Sequence, residues 1–542
     1  MRFSASSGAN MTHQEEYRHD DSLELDEASE LASLLSNSPK RPRHRLHRDN
    51  ISVSSITSSS LSTIIVPRSH KNASVTNLLY FITFIASYSG GFIELPLTRL
   101  IEDLICHDYY HVESATEPID ESLCKEDSIQ KQLAYLLAVQ STLYSIVAFV
   151  AAFPWGLAAD KIGRKPIVAV AMAGLLVGSL IELAVVYWNN IFPITAIWAS
   201  AAGQLIGGGN GVLIAVVLSM IADTTSEEDR AIAFLRTHVA SLCGNLLSPS
   251  LAGFVMERAG PWVPPLIGIG LFFLGGIAFF FLPETRARKE PHQEAHDEPE
   301  VPCSNSMISQ IFGQFLDSLS ILTSPSLILL LLTALCSMPV MDSTLQFLNQ
   351  FVSKRYEIKI AQTGYVQSTY GVASIVMTLF ILPWISNLLI DPATPVRYRA
   401  KDEQYRDLSL ARWSYAVLFL GALTLGLSPT LSGFVLGLIL MAVGSGFGSL
   451  SKSLMSIYVD PAHRSRLFSL VGMVEVLGSV FSQPLLAGLF SLGLRWHGVW
   501  IGLPYIGLAA LIALSGSLLL FVRIPRAGYS TIPAAARTHE EA

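Results

Sequence analysis

A chain of 542 residues that is 51% apolar and only 15% charged departs from soluble proteins, in which about 25% of residues are charged. With a mean hydropathy of +0.44 and recurring apolar runs of about eighteen or more residues, the composition points to a membrane protein rather than a large soluble core. The net charge of -7 decides little, no basic groove interleaved with aromatics points to nucleic acid, and five cysteines without CxxC or Cys/His spacing argue against a zinc site.

Residues 1–72 are rich in Ser, His and charge, with a basic run at Lys40, Arg41, Arg43, Arg45 and Arg48. They are expected to form a disordered cytoplasmic tail, because they cannot bury enough apolar surface to fold. No apolar h-region near the start marks a cleaved signal peptide. Within the tail, Glu30, Leu34 and Leu35 fit an acidic dileucine pattern used for vacuolar or endosomal sorting, although so short a pattern also arises by chance. The expected location is the plasma membrane, with the vacuolar membrane as the alternative.

Apolar spans follow at about 76–101, 132–158, 166–188, 193–222, 231–257 and 263–283, then at about 326–350, 363–389, 410–428, 431–459, 466–493 and 499–522. The expected organisation is a first half at 73–285, a linker at 286–325, a second half at 326–525 and a tail at 526–542. In the linker, Ile308, Ile311, Phe312, Phe315, Leu316 and Leu319 form a helical stripe. It predicts either an amphipathic helix on the membrane face or a lead-in to the seventh span. Lys161, Arg164 and Lys165 follow the second span, Arg397, Arg399, Lys401 and Arg406 the eighth, Arg286, Arg288 and Lys289 the sixth, and Arg523 and Arg526 the last. The loops at 189–192 and 428–430 carry no Lys or Arg, so both termini are expected in the cytoplasm.

The two sets of six spans echo each other. Val139-Gln140-Ser141-Thr142 leads to Pro154-Trp155, and Val366-Gln367-Ser368-Thr369 leads to Pro383-Trp384. Gly207, Gly209 and Gly211 precede Asp223 as Gly444, Gly446 and Gly448 precede Asp460, sixteen residues from first Gly to Asp in both. Arg230 and Phe234 match Arg464 and Phe468, and Pro249 to Gly253 match Pro484 to Gly488. Two halves inserted the same way round imply a pseudo-twofold axis along the membrane normal, with a solute site between them near mid-depth. The glycines also allow close helix packing. The fold class is therefore all-α, twelve transmembrane helices in two pseudo-symmetric six-helix halves.

At Gly156-Leu157-Ala158-Ala159-Asp160-Lys161-Ile162-Gly163-Arg164-Lys165 the sequence resembles the major facilitator signature between spans two and three. Leu282-Pro283-Glu284-Thr285 resembles that superfamily's ending of span six. The resemblance implies the major facilitator fold and a conformational gating role for Gly156, Asp160, Lys161, Gly163, Arg164 and Lys165. A topology-setting basic loop is the plainer reading. Lys161 stands where Arg is commoner, and the corresponding loop at 390–408 lacks the motif. Gly244, Pro249 and Gly253, with Ser248 in place of a usual Gly, resemble the Gly-Pro motif of drug:proton antiporters, which implies export; a packing device is the alternative. Gly203-Gln204 stands where that family has an Arg. The loop from Ile105 to Tyr110, followed by Cys124-Lys125, resembles filamentous-fungal efflux transporters distantly similar to tetracycline antiporters and proton-coupled folate transporters.

Charge at bilayer mid-depth costs about 2.5–3.5 kcal/mol on insertion scales, so each such residue needs a reason. Glu94 and Asp342 are the candidates for proton coupling, with Glu182 next in line, since a carboxyl that meets water in one state only can change protonation. Glu94 has an alternative role as partner of Arg99. Lys452 and Glu475 reach about the same depth, 12–16 Å from one loop, and are expected to pair. Gln140, Gln204, Asn210, Gln346, Gln367 and Gln483 are candidates to line the cavity, as is Asn349; helix–helix hydrogen bonds are the alternative for each. Tyr144, Tyr370 and Trp384 could stack on a solute or pack in the core. Cys106 and Cys124, in one outer loop, are expected to form a disulfide, two free thiols being the alternative, while Cys243, Cys303 and Cys336 stay reduced.

The expected function is secondary active transport by alternating access, most simply proton-coupled export of a secondary metabolite or toxic compound. Import of a nutrient or vitamin is the alternative, and a transporter-like sensor a remote one. No catalytic set, metal site or cofactor is expected. The expected partners are a small solute, protons and the lipid bilayer, and the expected working unit is a monomer.

Overall fold

Inside hydrocarbon a backbone must satisfy its own N–H and C=O groups, and this chain does so with helices. The computed structural model describes residues 70–111, 119–225, 227–283, 324–390, 403–459 and 464–524, without the side chains of Asp160, Asp342, Arg230 and Arg464 among others. The dileucine and basic run of the tail, the stripe at 308–319, Cys303 and the basic residues at 397–401 lie outside them.

Among the described residues, eleven helices are long and apolar enough to cross a membrane, and the shorter apolar run Pro325–Met341 opens the seventh of twelve spans. The first half comprises His70–Tyr109, Asp127–Ile162, Arg164–Tyr187, Ile194–Thr224, Glu227–Ala259 and Val263–Phe280. The second comprises a broken seventh span within 325–356, then 360–390, Glu403–Leu427, Leu431–Ser456, Arg464–Trp496 and 498–520. The first span exceeds its apolar stretch because its polar end continues the helix. There Arg99 meets Glu102 and Asp103 (3.2 Å each), and His107 Nδ1 lies 2.8 Å from Asp103 O, all at helical spacing. Gly163, at φ 115°, ends the second span and turns the chain into the third.

The spans break where sequence reasoning expected continuity. The seventh divides into Pro325–Ala334, Ser337–Leu345 and Phe347–Tyr356; at the first break Pro339 has no N–H for the carbonyl of Leu335. The fourth starts as a 3-10 helix, Ile194–Leu205, and becomes α-helical at Gly209. Gly207 and Gly208 adopt φ of 82° and 79° between the two parts. In the tenth, Gly444–Gly446 form a 3-10 turn between Leu431–Val443 and Phe447–Ser456. The echoed glycines thus mark corresponding breaks in both halves. A π-turn at Met377–Ile381 precedes Pro383 in the eighth span, while the second runs straight through Pro154.

The second half has an aromatic core in which Phe351, Phe434, Phe490 and Tyr505 are fully buried. The halves meet through a smaller cluster of Phe92, Leu95, Ala252, Met256, Ile360 and Ala361. Close approach there requires glycine: a Cβ on Gly253 would lie 2.2 Å from Ala361 O, and one on Gly364 2.2 Å from Pro249 O. A Cβ on Gly156, in the signature loop, would meet nothing within 4 Å. Gly253→Val is therefore expected to lower stability by about 1–3 kcal/mol through overpacking. Gly156→Ala should leave stability unchanged or slightly higher, as thermal unfolding of both variants in detergent would show.

Candidate functional site: a central polar cavity

A cavity of about 610 Å³ lies between the halves and is lined mainly by spans one to five, with Met341, Gln346, Phe347 and Gln350 from the seventh and Gln483 from the eleventh. Its volume falls within the range of small-molecule sites, about 300–1,000 Å³. Of the residues proposed from sequence, Gln140, Gln204, Asn210, Gln346, Gln483, Glu94 and Glu182 line it. Gln346 joins the halves, its Oε1 accepting from Gln483 Nε2 at 2.9 Å and from Ser141 Oγ at 3.5 Å. Gln367 is not among the lining residues; buried, it accepts from Asn349 Nδ2 at 3.0 Å and ties span seven to span eight. Tyr370 packs in the second-half core and Trp384 faces outward, 64% exposed, so neither aromatic reaches the cavity.

The wall of the first half holds a buried polar cluster. Glu182, 6% exposed on span three, accepts from Gln140 Nε2 at 2.6 Å and, through the same Oε1, from the hydroxyl of Tyr144. Tyr144 and Ser200 hydroxyls lie 2.7 Å apart, and Ser200 donates to Ile197 O at 2.6 Å. Sequence reasoning placed Gln140, Tyr144 and Glu182 separately; the antiparallel packing of spans two, three and four makes them one unit. Glu94 differs: it is exposed at the cavity. Arg99 is taken up by Glu102, Asp103 and Glu121 rather than by Glu94. The side chain of Asp342 lies outside the described residues. Thr237, His238 and Asn245 of span five also line the cavity; Thr237 and His238 were missed because polar residues near a span's end read as boundary.

One face of the molecule is closed by charge. Cys106 and Cys124 are joined, Cα atoms 5.3 Å apart, so Lys125 is held beside the end of span one. There Glu102, fully buried, accepts from Lys125 Nζ at 2.8 Å, Gln130 Nε2 at 2.6 Å and Arg99 Nη1 at 3.2 Å. Glu121 receives Lys125 at 3.0 Å and the Ile360 N–H of the other half at 2.7 Å. Lys354 crosses to Asp127 and to the Lys125 carbonyl at 2.5 Å each, and Gln350 donates to Gln130 O at 2.6 Å. In the same loop, bonds from Ser122 hold the exposed Asp120 carboxyl below the usual range.

On the opposite face, Arg164 of the signature loop pairs with Asp223 and donates to Ser219 O at 2.6 Å, while Lys165 donates to Phe280 O at 2.9 Å. The loop thereby fastens span three to spans four and six. In the second half, Lys452 Nζ sits 2.9 Å from Glu475, which also accepts from Ser337 Oγ at 3.3 Å. Among the described residues no group of three or more His, Cys, Asp or Glu side chains could hold a metal ion.

The family model of the Major Facilitator Superfamily matches residues 125–397, half of the chain. The chain belongs to the major facilitator superfamily. The MFS-type transporter aprT of Aspergillus flavus is 29% identical over 474 residues, covering 86% of this chain and 91% of that protein. The MFS efflux pump atnC of Emericella nidulans is 28% identical, covering 80% and 84%. In fold, the chain is similar to a D-xylose-proton symporter, with a TM-score of 0.58 at 14% identity over 84% of this chain and 98% of that one. For this superfamily member, Lys161, Arg164 and Lys165 stand at the face opposite the disulfide, and the cavity lies between the two.

Two outcomes follow from these contacts. Denaturing alkylation without reduction should modify Cys243, Cys303 and Cys336 only; labelling of all five cysteines would rule out the bond. Cys124→Ser should then lower stability by about 3 kcal/mol. For Lys452 and Glu475, each alanine variant should reduce transport, and the double variant should lose less than the sum, since removing one partner strands the other.

Proposed function

We propose that this protein exports a small organic solute by alternating access, driven by protons, with the signature-loop face in the cytoplasm. The observation that carries this reading is the pairing of a central polar cavity with a sequestered carboxyl, Glu182, under a face closed by charge. The excess of Lys and Arg in the loops of the other face supports a cytoplasmic orientation. On that orientation the contacts favour a state closed to the exterior. The efflux-pump name of the relative in Emericella nidulans supports the direction, and a secondary metabolite is the solute class in line with it.

Within this reading Glu182 carries the proton and Glu94 meets the solute. Glu182 is buried in the cavity wall and held there by Gln140 and Tyr144, so entry of water or solute exchanges its partners. Glu94 is already exposed in the cavity, which suits contact with solute better than a proton kept from water. In proteoliposomes, Glu182→Gln is expected to abolish pH-driven uptake while retaining solute exchange. Glu94→Gln should weaken apparent solute affinity yet leave the pH dependence in place. Unchanged pH dependence in Glu182→Gln would move coupling elsewhere. Absence of solute flux in the wild-type protein would remove the transport reading itself.

A further inference from the structure

The outward surface of span nine repeats Tyr405, Ser409, Arg412 with Trp413, and Ala416 at helical spacing. With Leu520, Val522, Arg523 and Ile524 at the end of span twelve, these residues line a groove of about 770 Å³ on the signature-loop face. Trp413 is 69% and Tyr405 48% exposed there, at a depth where amphipathic rings mark the boundary between hydrocarbon and head groups.

Two guanidinium groups converge on this groove. Arg412 donates through Nε and Nη2 to carbonyls at and just beyond the end of span twelve, those of Leu519 and Leu520 at 3.3 Å and Val522 at 3.5 Å. Its Nη1 has no partner among the described residues. Arg523 sits on a pinned backbone: its N–H donates to Ser326 Oγ at 3.2 Å, and its carbonyl accepts from the Tyr458 hydroxyl at 2.7 Å. The Arg523 guanidinium has no ion-pair partner among the described residues. Charge at the rim of a membrane protein, without a carboxylate to meet it, calls for an anion from the membrane. Below the arginines the surface turns apolar, with Ala416, Leu520 and, one turn deeper, Leu420.

We propose that this groove is a binding site for an anionic glycerophospholipid of the adjoining leaflet. Its phosphate is taken by Arg412 and Arg523, and an acyl chain lies along Ala416 and Leu420. A guanidinium matches two phosphate oxygens at once, and phosphatidylserine adds a carboxylate that gives it a net negative charge, which zwitterionic phosphatidylcholine lacks. The site lies apart from the solute cavity and does not rest on the direction of transport.

The test uses the full-length protein in detergent micelles, titrated with phosphatidylserine or phosphatidylcholine and read by native mass spectrometry. Phosphatidylserine should bind about twenty-five-fold tighter than phosphatidylcholine, about fivefold for each arginine. Arg523→Gln is the informative variant, because the backbone at that residue is held by others and the fold should persist. It should lose about fivefold for phosphatidylserine and less for phosphatidylcholine, and Arg523→Lys should recover most of the loss. Equal binding of the two lipids overturns the proposal, as does wild-type affinity for phosphatidylserine in Arg523→Gln. A groove already filled by the chain's own residues 525–542 would show binding only after their removal, and that outcome also overturns it.

Discussion

A carboxylate removed wholly from water opens the fold unless it is matched, and Glu102 is matched by Lys125, Gln130 and Arg99 together. The closed face depends on this match. The disulfide holds Lys125 in reach, Lys125 passes the charge to Glu121, and Glu121 receives a backbone N–H from the opposite half. Lys354 returns the link to Asp127 and the carbonyl of Lys125. Removing any one partner leaves a buried charge alone, which is costlier than the pair was favourable. The cluster therefore behaves as one closure rather than as several weak surface bridges.

The halves share a plan, but they do not share contacts. The glycine groups of spans four and ten both mark a switch between 3-10 and α geometry, so that echo is structural. The Pro-Trp echo diverges: Trp155 donates to Leu205 O at 2.8 Å, while Trp384 stands exposed on the outer surface. Gln140 and Gln367 occupy matching positions, yet one holds Glu182 beside the cavity and the other binds Asn349 between helices. Repetition fixes where a helix bends; the residues facing each bend decide what it does. Among the described residues, the carboxyls that line the cavity, Glu94 and Glu182, belong to the first half.

Much of the fold was legible from the chain because hydrocarbon leaves few options: each long apolar run must be a helix, and basic loops mark one face. The breaks were less legible. Pro339 is visible in the sequence, but whether it kinks a span or ends it depends on neighbours such as Gly478, where a Cβ would lie 2.6 Å from Leu335 O. At the cavity, single residues were legible and groupings were not. Lys452 and Glu475 could be joined by depth because they flank one loop. Glu182 could not be joined to Gln140 and Tyr144, since that needs the rotation of three helices as well as their depth. The outer charge cluster was hidden by its composition, for charges in a loop read as solvated until the disulfide folds them under.

Alternation sets a constraint on energies that the two faces must satisfy together. A transporter that favours one closed state by more than about 5 kcal/mol would spend too little time in the other for turnover. Opening the disulfide face separates Lys354 from Asp127 and the Ile360 N–H from Glu121, and losing one partner of a buried pair costs about 3–5 kcal/mol. Closure of the signature-loop face must supply a comparable sum. On that side Lys452 pairs with Glu475, and Arg164 and Lys165 hold span three to spans four and six. Solute then needs only to tip a near balance. In the proposed mechanism Glu182 would add a proton to that balance by exchanging Gln140 and Tyr144 for water.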